Sequence, residues 1–280
     1  MFMKLPEAEI ISSQVRAALA EDLGTGDLTA ALIRADEQSR VQVICRERAM
    51  LCGVAWFNEV FQQIDPNVRI VWTAADGDRL EAGQPVCSLE GNTRALLSGE
   101  RTALNYLQTL SGTATRARRY AEQVAGTRAR VLDTRKTIPG LRLQQKYAVS
   151  CGGCFNHRMG LYDAILLKEN HIHAAGSVTA ALEAAKNLAP EGVSVEIEVE
   201  TLSQLQEAIH AGAVRVLLDN FSLEQLREAV RLNAGAVRLE ASGGINLQTI
   251  RAIAETGVDD ISVGDLTKGV DAVDLSMRFV

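Results

Sequence analysis

The sequence predicts an α/β protein in two parts, a small mixed domain followed by a parallel β/α barrel. Three observations predict this. The candidate strand ends Glu200, Asp219, Ser242 and Gly264 follow one another at intervals of 19, 23 and 22 residues, with a helical pattern in each gap. That pitch is the signature of parallel strands joined by crossover helices. Residues 41–90, by contrast, carry short strand-like runs divided by turn signals and no such alternation. Finally, no glycine fingerprint for a dinucleotide follows the first strand of the series, which favours a barrel over a Rossmann sheet.

The first part opens with EAEIISSQVRAALAE (7–21), where Ile10, Ile11, Val15, Ala18 and Leu19 fall at helical spacing. The glycines of EDLGTGDLT (21–29) break that pattern. VQVIC and VRIVW read as strands, DGDRLEAGQPVCSLEG carries two turn signals, and a helix resumes near Ser98. We divide the chain at residues 1–110, 111–268 and 269–280, the last an apolar tail expected to return to the first domain. In the second part the strands are RVLDT (130–134), AILLK (164–168), VSVEIEVE (193–200), VRVLLD (214–219), AVRLEAS (236–242) and DDISVG (259–264).

Composition narrows the function. With a net charge of −6, the chain lacks the basic footprint of a nucleic-acid binder. It has no apolar run of the ~18 residues that a bilayer span requires, and the acidic residues near its start do not suit a signal peptide. A cytoplasmic location is expected. The five cysteines are scattered and odd in number, so reduced thiols are expected rather than a disulfide framework.

Four constellations carry chemistry. In VEIEVE, Glu196, Glu198 and Glu200 share one face, because strand side chains alternate. With the apolar face on the helices, three carboxylates point into the barrel, an arrangement that needs cations or a metal. Asp219 ends the next strand at the face where barrel active sites lie. A Mg²⁺ held by one or two carboxylates and by substrate phosphates suits Glu198 and Asp219. The second constellation is basic. Arg135, Lys136, Arg142, Lys146, Arg158 and Lys168 stand against Asp133 and Asp163 only, a net of +4 (six minus two). Several of these cations follow strand ends, which suits a small polyanion bearing carboxylates and phosphates. Third, Ser242, Gly243 and Gly244 precede a helix expected to begin near Asn246, a turn that lets backbone N–H groups approach a phosphate. Gly264 ends the last strand and is the expected partner of that turn. Fourth, CGGC (151–154) invites a redox or zinc reading, but there is no second CxxC, and His157 with Arg158 is the better functional pair.

Taken in order, EDLGTGDLT, GERTALNYLQTLSGTAT (99–115), DTRKTIPGLR (133–142), KYAVSCGG (146–153), NHRMGL (156–161), LLKENHI (166–172), VEIEVE, LLDNF (217–221), EASGGI (240–245), ISVG (261–264) and LTK (266–268) resemble the quinolinate phosphoribosyltransferase family. The resemblance implies an N-terminal α/β sandwich domain and an incomplete parallel β/α barrel, the type II phosphoribosyltransferase architecture. It implies a homodimer with a shared active site, into which Arg101 reaches from the neighbouring subunit. Arg135, His157, Arg158 and Lys168 would surround quinolinate, and Lys136 would face the pyrophosphate of phosphoribosyl pyrophosphate. Glu198 and Asp219 would bind Mg²⁺ or the ribose, and Ser242, Gly243, Gly244 and Gly264 the phosphates. The implied reaction belongs to NAD biosynthesis and yields nicotinate mononucleotide, pyrophosphate and CO₂. Two positions depart from the family pattern. Cys154 replaces a usual third glycine, which would alter the loop carrying His157 or expose a thiol. Asp265 stands where a small or apolar residue is usual, and beside a phosphate site it must point away or meet the metal. The rival readings are a same-fold relative associated with molybdenum uptake and a metal- or redox-binding module built on CGGC.

Overall fold

The computed structural model describes residues 4–280. In chain order the elements are α1 (Ala8–Leu23), β1 (Gln38–Cys45), β2 (Ala49–Met50), α2 (Val54–Ile64), β3 (Arg69–Trp72), β4 (Arg79–Leu80), β5 (Pro85–Asn92) and α3 (Thr93–Gln123). They continue with β6 (Arg130–Leu132), α4 (Arg142–Cys151), β7 (Ala164–Leu167), α5 (Glu169–Ala175), α6 (Val178–Leu188), β8 (Ser194–Val199), α7 (Leu202–His210) and β9 (Arg215–Asp219). The last are α8 (Leu223–Asn233), β10 (Arg238–Ser242), α9 (Ile250–Ala254), β11 (Asp260–Ser262), α10 (Asp265–Lys268) and β12 (Leu275–Phe279). The chain divides into two compact units. One holds residues 4–118 together with Leu143–Gly153 and Val270–Val280, and the other holds Arg119–Arg142 and Cys154–Gly269.

The first unit is built on an antiparallel sheet in the order β12-β1-β5-β3. β12 pairs with β1 from Val41 opposite Phe279 to Cys45 opposite Leu275. The alternation in β1 buries Val41, Val43 and Cys45, and α1 buries Ile11, Val15 and Leu19 at helical spacing. Trp56, Phe57, Val60 and Phe61 of α2 complete the same core, with Phe57 edge-on to Trp72 at 5.1 Å between ring centroids. The small residues of LSGTAT in α3 serve packing. A Cβ at Gly112 would collide with the carbonyl oxygen of Asp271 in the segment leading to β12.

The second unit is a parallel sheet in the order β6-β11-β10-β9-β8-β7. Its end strands β6 and β7 are not paired to each other among the described residues, so the barrel is incomplete, as expected. Each strand is short and each return is a helix, because parallel strands need a crossover. Helix starts are fixed by side chains: Ser177, Thr201 and Ser222 accept backbone N–H bonds at the N-termini of α6, α7 and α8. Outward positions such as Ile197, Val199, Val216, Leu218 and Leu239 are apolar and buried. The inward positions include Glu196, Glu198, Arg215, Asp219, Arg238, Glu240 and Asp260, which is unusual for a barrel interior and sets up the site.

Gly112→Ala should lower stability by about 1–3 kcal/mol through overpacking, read as a fall in the urea midpoint with an unchanged m-value. An unchanged midpoint would show that the Asp271 segment moves aside without cost.

Candidate active site

At the strand C-termini of the second unit lies a cavity of about 630 Å³. Its walls include Arg135, Lys136, His157, Arg158, Lys168, Glu198, Asp219, Ser242, Gly243, Gly244 and Gly264. Every barrel-region residue that the family resemblance assigns to the site is among them. Arg101 lies elsewhere, exposed on α3 in the first unit.

The loop carrying His157 and Arg158 is stitched to the end of β6. The Phe155 N–H donates to the Val131 carbonyl, and the Asp133 N–H donates to the Phe155 carbonyl. The fully buried carboxylate of Asp133 accepts the His157 backbone N–H at 2.9 Å and the Asn156 side-chain amide at 2.7 Å. Cys154 is buried within this stretch, so the departure from glycine does not expose a thiol. Arg142 braces the neighbouring loop by donating to Thr137 Oγ1 and to the carbonyls of Met159 and Arg135. Lys136 is held through its main chain, its N–H donating to Thr134 Oγ1 and its carbonyl accepting the Thr267 hydroxyl at 2.7 Å. Lys168 is the N-cap of α5, and its N–H donates to His171 Nδ1.

The cationic wall is incompletely paired. Arg158 gives one guanidinium N–H to the Ala164 carbonyl, and its pKa is lowered by burial and by the nearby charge of Arg135. Arg135 Nε is buried and meets no acceptor among the described residues. A buried donor on a charged group is costly to leave unmade, so an anion is the natural occupant of this corner. Opposite stand Glu198 and Asp219, the hard oxygen donors of the cavity. Burial raises the Glu198 pKa and Asp219 adds to the rise, while Lys168, with Nζ 3.7 Å from Glu198 Oε2, pulls it down.

Below the cavity lies a buried ion network. Arg215 contacts Glu196 at 3.3 Å, Glu240 at 2.7 Å and Asp260 at 3.4 Å. Asp260 in turn meets Arg130 at 2.9 Å and both N–H groups of the Arg238 fork. His157 Nε2 reaches into this network, 3.0 Å from Glu196 and 3.4 Å from Glu240. Burial disfavours a charged ring, but the two carboxylates overcome it and push the His157 pKa up to about 9. One contact opposes this: His157 Nδ1 accepts the Arg158 backbone N–H at 2.8 Å, so a second ring proton must displace that bond. Two carboxylates this close outweigh one amide dipole, and the direction is upward.

The glycine loop is set by close approach. Gly243 has φ +102°, and a Cβ there would strike the side chain of Asn220, itself left-handed at φ +56°. The Asn220 N–H donates to the Ser242 carbonyl at 2.9 Å, which ties the ends of β9 and β10.

Several expectations need correction. Glu200 does not face the interior. β8 ends at Val199, and Glu200 is exposed because Thr201 caps α7. Lys146 is not a ligand-facing cation but a fully buried residue of α4, counted with the first unit. Regular helix after Gly243-Gly244 begins only at Ile250, with hydrogen-bonded turns from Asn246 between, so the glycines offer loop N–H groups rather than a helix start. Asp265 points away from the cavity and accepts the Tyr120 hydroxyl at 2.8 Å. Glu240, Asn220, Thr134 and Ser262 line the cavity without having been anticipated. The signal for Glu240 and Arg215 was present in strand parity, since VRVLLD and VRLEAS each place charge at alternate positions.

A parallel β/α barrel whose strand ends converge cations, two carboxylates and a glycine loop defines an enzyme site for a small polyanion. Residues 27–111 match the family described as Quinolinate phosphoribosyl transferase, N-terminal domain, and residues 113–278 match its C-terminal domain. The chain belongs to the quinolinate phosphoribosyltransferase family. It is 42% identical over 257 residues to a probable nicotinate-nucleotide pyrophosphorylase (carboxylating) of Bacillus subtilis, covering 92% of this chain and 89% of that protein. The nicotinate-nucleotide pyrophosphorylase of Mycobacterium leprae is 40% identical, covering 97% of this chain and 98% of that one. The solved nicotinate-nucleotide pyrophosphorylase of Francisella tularensis superposes with a TM-score of 0.96 at 48% identity, over 99% of this chain and 98% of that one.

The raised His157 adds stability that is present in full below pH 6.5 and is lost as pH rises through about 9. Nitrogen-detected NMR of His157 should titrate well above the ordinary histidine value, and Glu196→Gln should bring it down. A midpoint at or below 6.5 in the native protein would contradict this.

Proposed function

We propose that the protein joins quinolinate to phosphoribosyl pyrophosphate, yielding nicotinate mononucleotide, pyrophosphate and CO₂, as a step of NAD biosynthesis. One observation carries the reading: five cations, with Arg135 Nε buried and lacking an acceptor, converge on one cavity of an acidic chain. A pyridine dicarboxylate supplies two carboxylates to that wall. Arg135, His157, Arg158 and Lys168 hold the ring and its carboxylates, with Arg guanidinium forks suited to bidentate pairing. Lys136 faces the pyrophosphate, and Ser242, Gly243, Gly244 and Gly264 receive the phosphates through loop N–H groups and a hydroxyl.

The chemistry follows from charge. As pyrophosphate leaves, the sugar carbon becomes cationic, and the fixed negative charge of Glu198 and Asp219 favours it. Once the ring nitrogen is bonded to ribose, the ring is a pyridinium. Loss of the adjacent carboxylate then leaves an electron pair beside positive charge, so the protein has chiefly to orient the ring and hold the remaining carboxylate. Glu198 and Asp219 also fit Mg²⁺: they are hard oxygen donors, and their mutual repulsion is relieved by a divalent cation. Bound there, the ion would neutralise phosphate oxygens and the departing pyrophosphate.

The family resemblance supports a homodimer in which Arg101, exposed on α3, completes the partner's site. No helix among the described residues is long and apolar enough to cross a membrane, and the proposed location is cytoplasmic.

Two measurements test this reading. With phosphoribosyl pyrophosphate and Mg²⁺, pyrophosphate and CO₂ should appear together from quinolinate. Nicotinate leaves one cation unpaired at about 1–3 kcal/mol, so its kcat/KM should be roughly 5- to 150-fold lower. Comparable values would sink the dicarboxylate site. Separately, Arg101→Ala and Lys168→Ala should each be nearly inactive, while an equal mixture of refolded subunits should regain roughly a quarter of wild-type activity, one intact site in each mixed dimer. No recovery would mean that the site is not shared.

A further inference from the structure

In the first unit, two thiols and a carboxylate converge. The Sγ atoms of Cys52 and Cys151 and a carboxylate oxygen of Asp76 all lie within 4.8 Å of one another. Cys52 is fully buried between β2 and α2, and its backbone is fixed in both directions by Ser111: its N–H donates to Ser111 Oγ at 3.0 Å, and its carbonyl accepts the Ser111 hydroxyl at 3.2 Å. Cys151 ends α4 and is partly exposed. This pairing differs from the Cys151–Cys154 pair that the CxxC spacing suggests.

The set is poorly suited to a metal. Asp76 Oδ1 already accepts the Gly53 and Val54 N–H groups at the start of α2, and Oδ2 accepts the Tyr147 hydroxyl at 2.9 Å. Taking Asp76 as a ligand would strip the start of α2, and two sulfurs alone fall short of a tetrahedral zinc site. What remains is a pair of adjacent thiols of unequal character. The Cys52 hydrogen bond lowers the pKa of Cys151 despite burial, whereas burial raises that of Cys52. The partly exposed member is thus the better thiolate, and the buried member is the resolving partner.

We propose that Cys151 and Cys52 form a peroxide-oxidisable pair that closes to a reversible disulfide inside this unit. Cys151 thiolate attacks a peroxide oxygen, giving a sulfenic acid and, for hydrogen peroxide, one water. The Cys52 sulfur then attacks Cys151 Sγ, the S–O bond breaks, and a second water leaves with the thiol proton. In sum two thiols lose two electrons and two protons, and the peroxide takes them up.

The full-length protein is treated with one equivalent of hydrogen peroxide, quenched with N-ethylmaleimide under denaturing conditions, and mapped without reduction. A Cys52–Cys151 peptide that has lost two hydrogens, and that dithiothreitol restores to two alkylatable thiols, is the expected result. Cys52→Ser should leave Cys151 as a sulfenic acid trapped by dimedone, and Cys151→Ser should leave Cys52 unoxidised. Because the wild-type map needs no variant, misfolding of either substitution does not protect the idea. Four results would overturn it: over-oxidised Cys151 beside alkylated Cys52, a Cys151–Cys154 cross-link, thiols that stay reduced, or stoichiometric zinc on the purified protein.

Discussion

The second unit depends on how its sheet neutralises charge in its interior. Helical crossovers on the outside leave Glu196, Arg215, Arg238, Glu240 and Asp260 on the inward face of the strands, and Glu240 and Asp260 are almost wholly removed from water. Removing one partner from such a group strands an uncompensated charge at a cost of about 3–5 kcal/mol. Arg215 is the centre because its guanidinium touches three carboxylates on three different strands. The parallel register makes this possible, bringing Arg215 level with Glu196 on one side and Arg238 on the other, and Glu240 level with Asp260.

That network also fixes what the cavity can bind. Glu196 and Glu240 spend part of their charge on His157, which makes the ring both a cap on the network and a cation for the cavity above. The rest of the cationic wall comes from strand ends and the loops after them. There the Thr134 and Thr267 hydroxyls hold the Lys136 main chain, Arg142 donates to the Arg135 carbonyl, and the His157 ring accepts the Arg158 N–H. The interior thus places negative charge beneath and positive charge at the rim. Such an arrangement suits a small molecule rich in carboxylates and phosphates, and the burial of part of the wall makes those contacts count for more than they would at a surface.

Much of this was legible in the sequence. All six barrel strands follow from apolar runs and their spacing, because a buried parallel strand carries a strong local signal. The strand-end members of the cavity, Lys168, Asp219, Ser242 and Gly264, were legible for the same reason. The roles given to His157 and Arg158 rested instead on the family resemblance, and Glu240, Asn220, Thr134 and Ser262 were missed. Less legible was anything decided by contacts between distant segments. Nothing local separates Lys146, buried on a helix, from Arg135, which faces the cavity. Glu200 looked like the third member of an alternating face, but a threonine cap ended the strand one residue earlier. Asp265 stands in sequence beside a glycine proposed to bind phosphate, and only the fold brings Tyr120 to its side. The pairing of Cys151 with Cys52 crosses the chain and could not be read from CxxC spacing.

The buried carboxylates Glu196 and Glu240 hold His157 in its charged form, and a charged ring at the cavity wall is proposed to anchor the substrate. Calorimetric titration of quinolinate across pH, in the wild type and in Glu196→Gln, tests it most directly. Wild-type affinity should hold from neutral pH until it falls as pH approaches about 9, and in Glu196→Gln the fall should move toward neutral pH. Identical profiles for the two proteins would show that Glu196 does not hold the His157 charge on which binding depends.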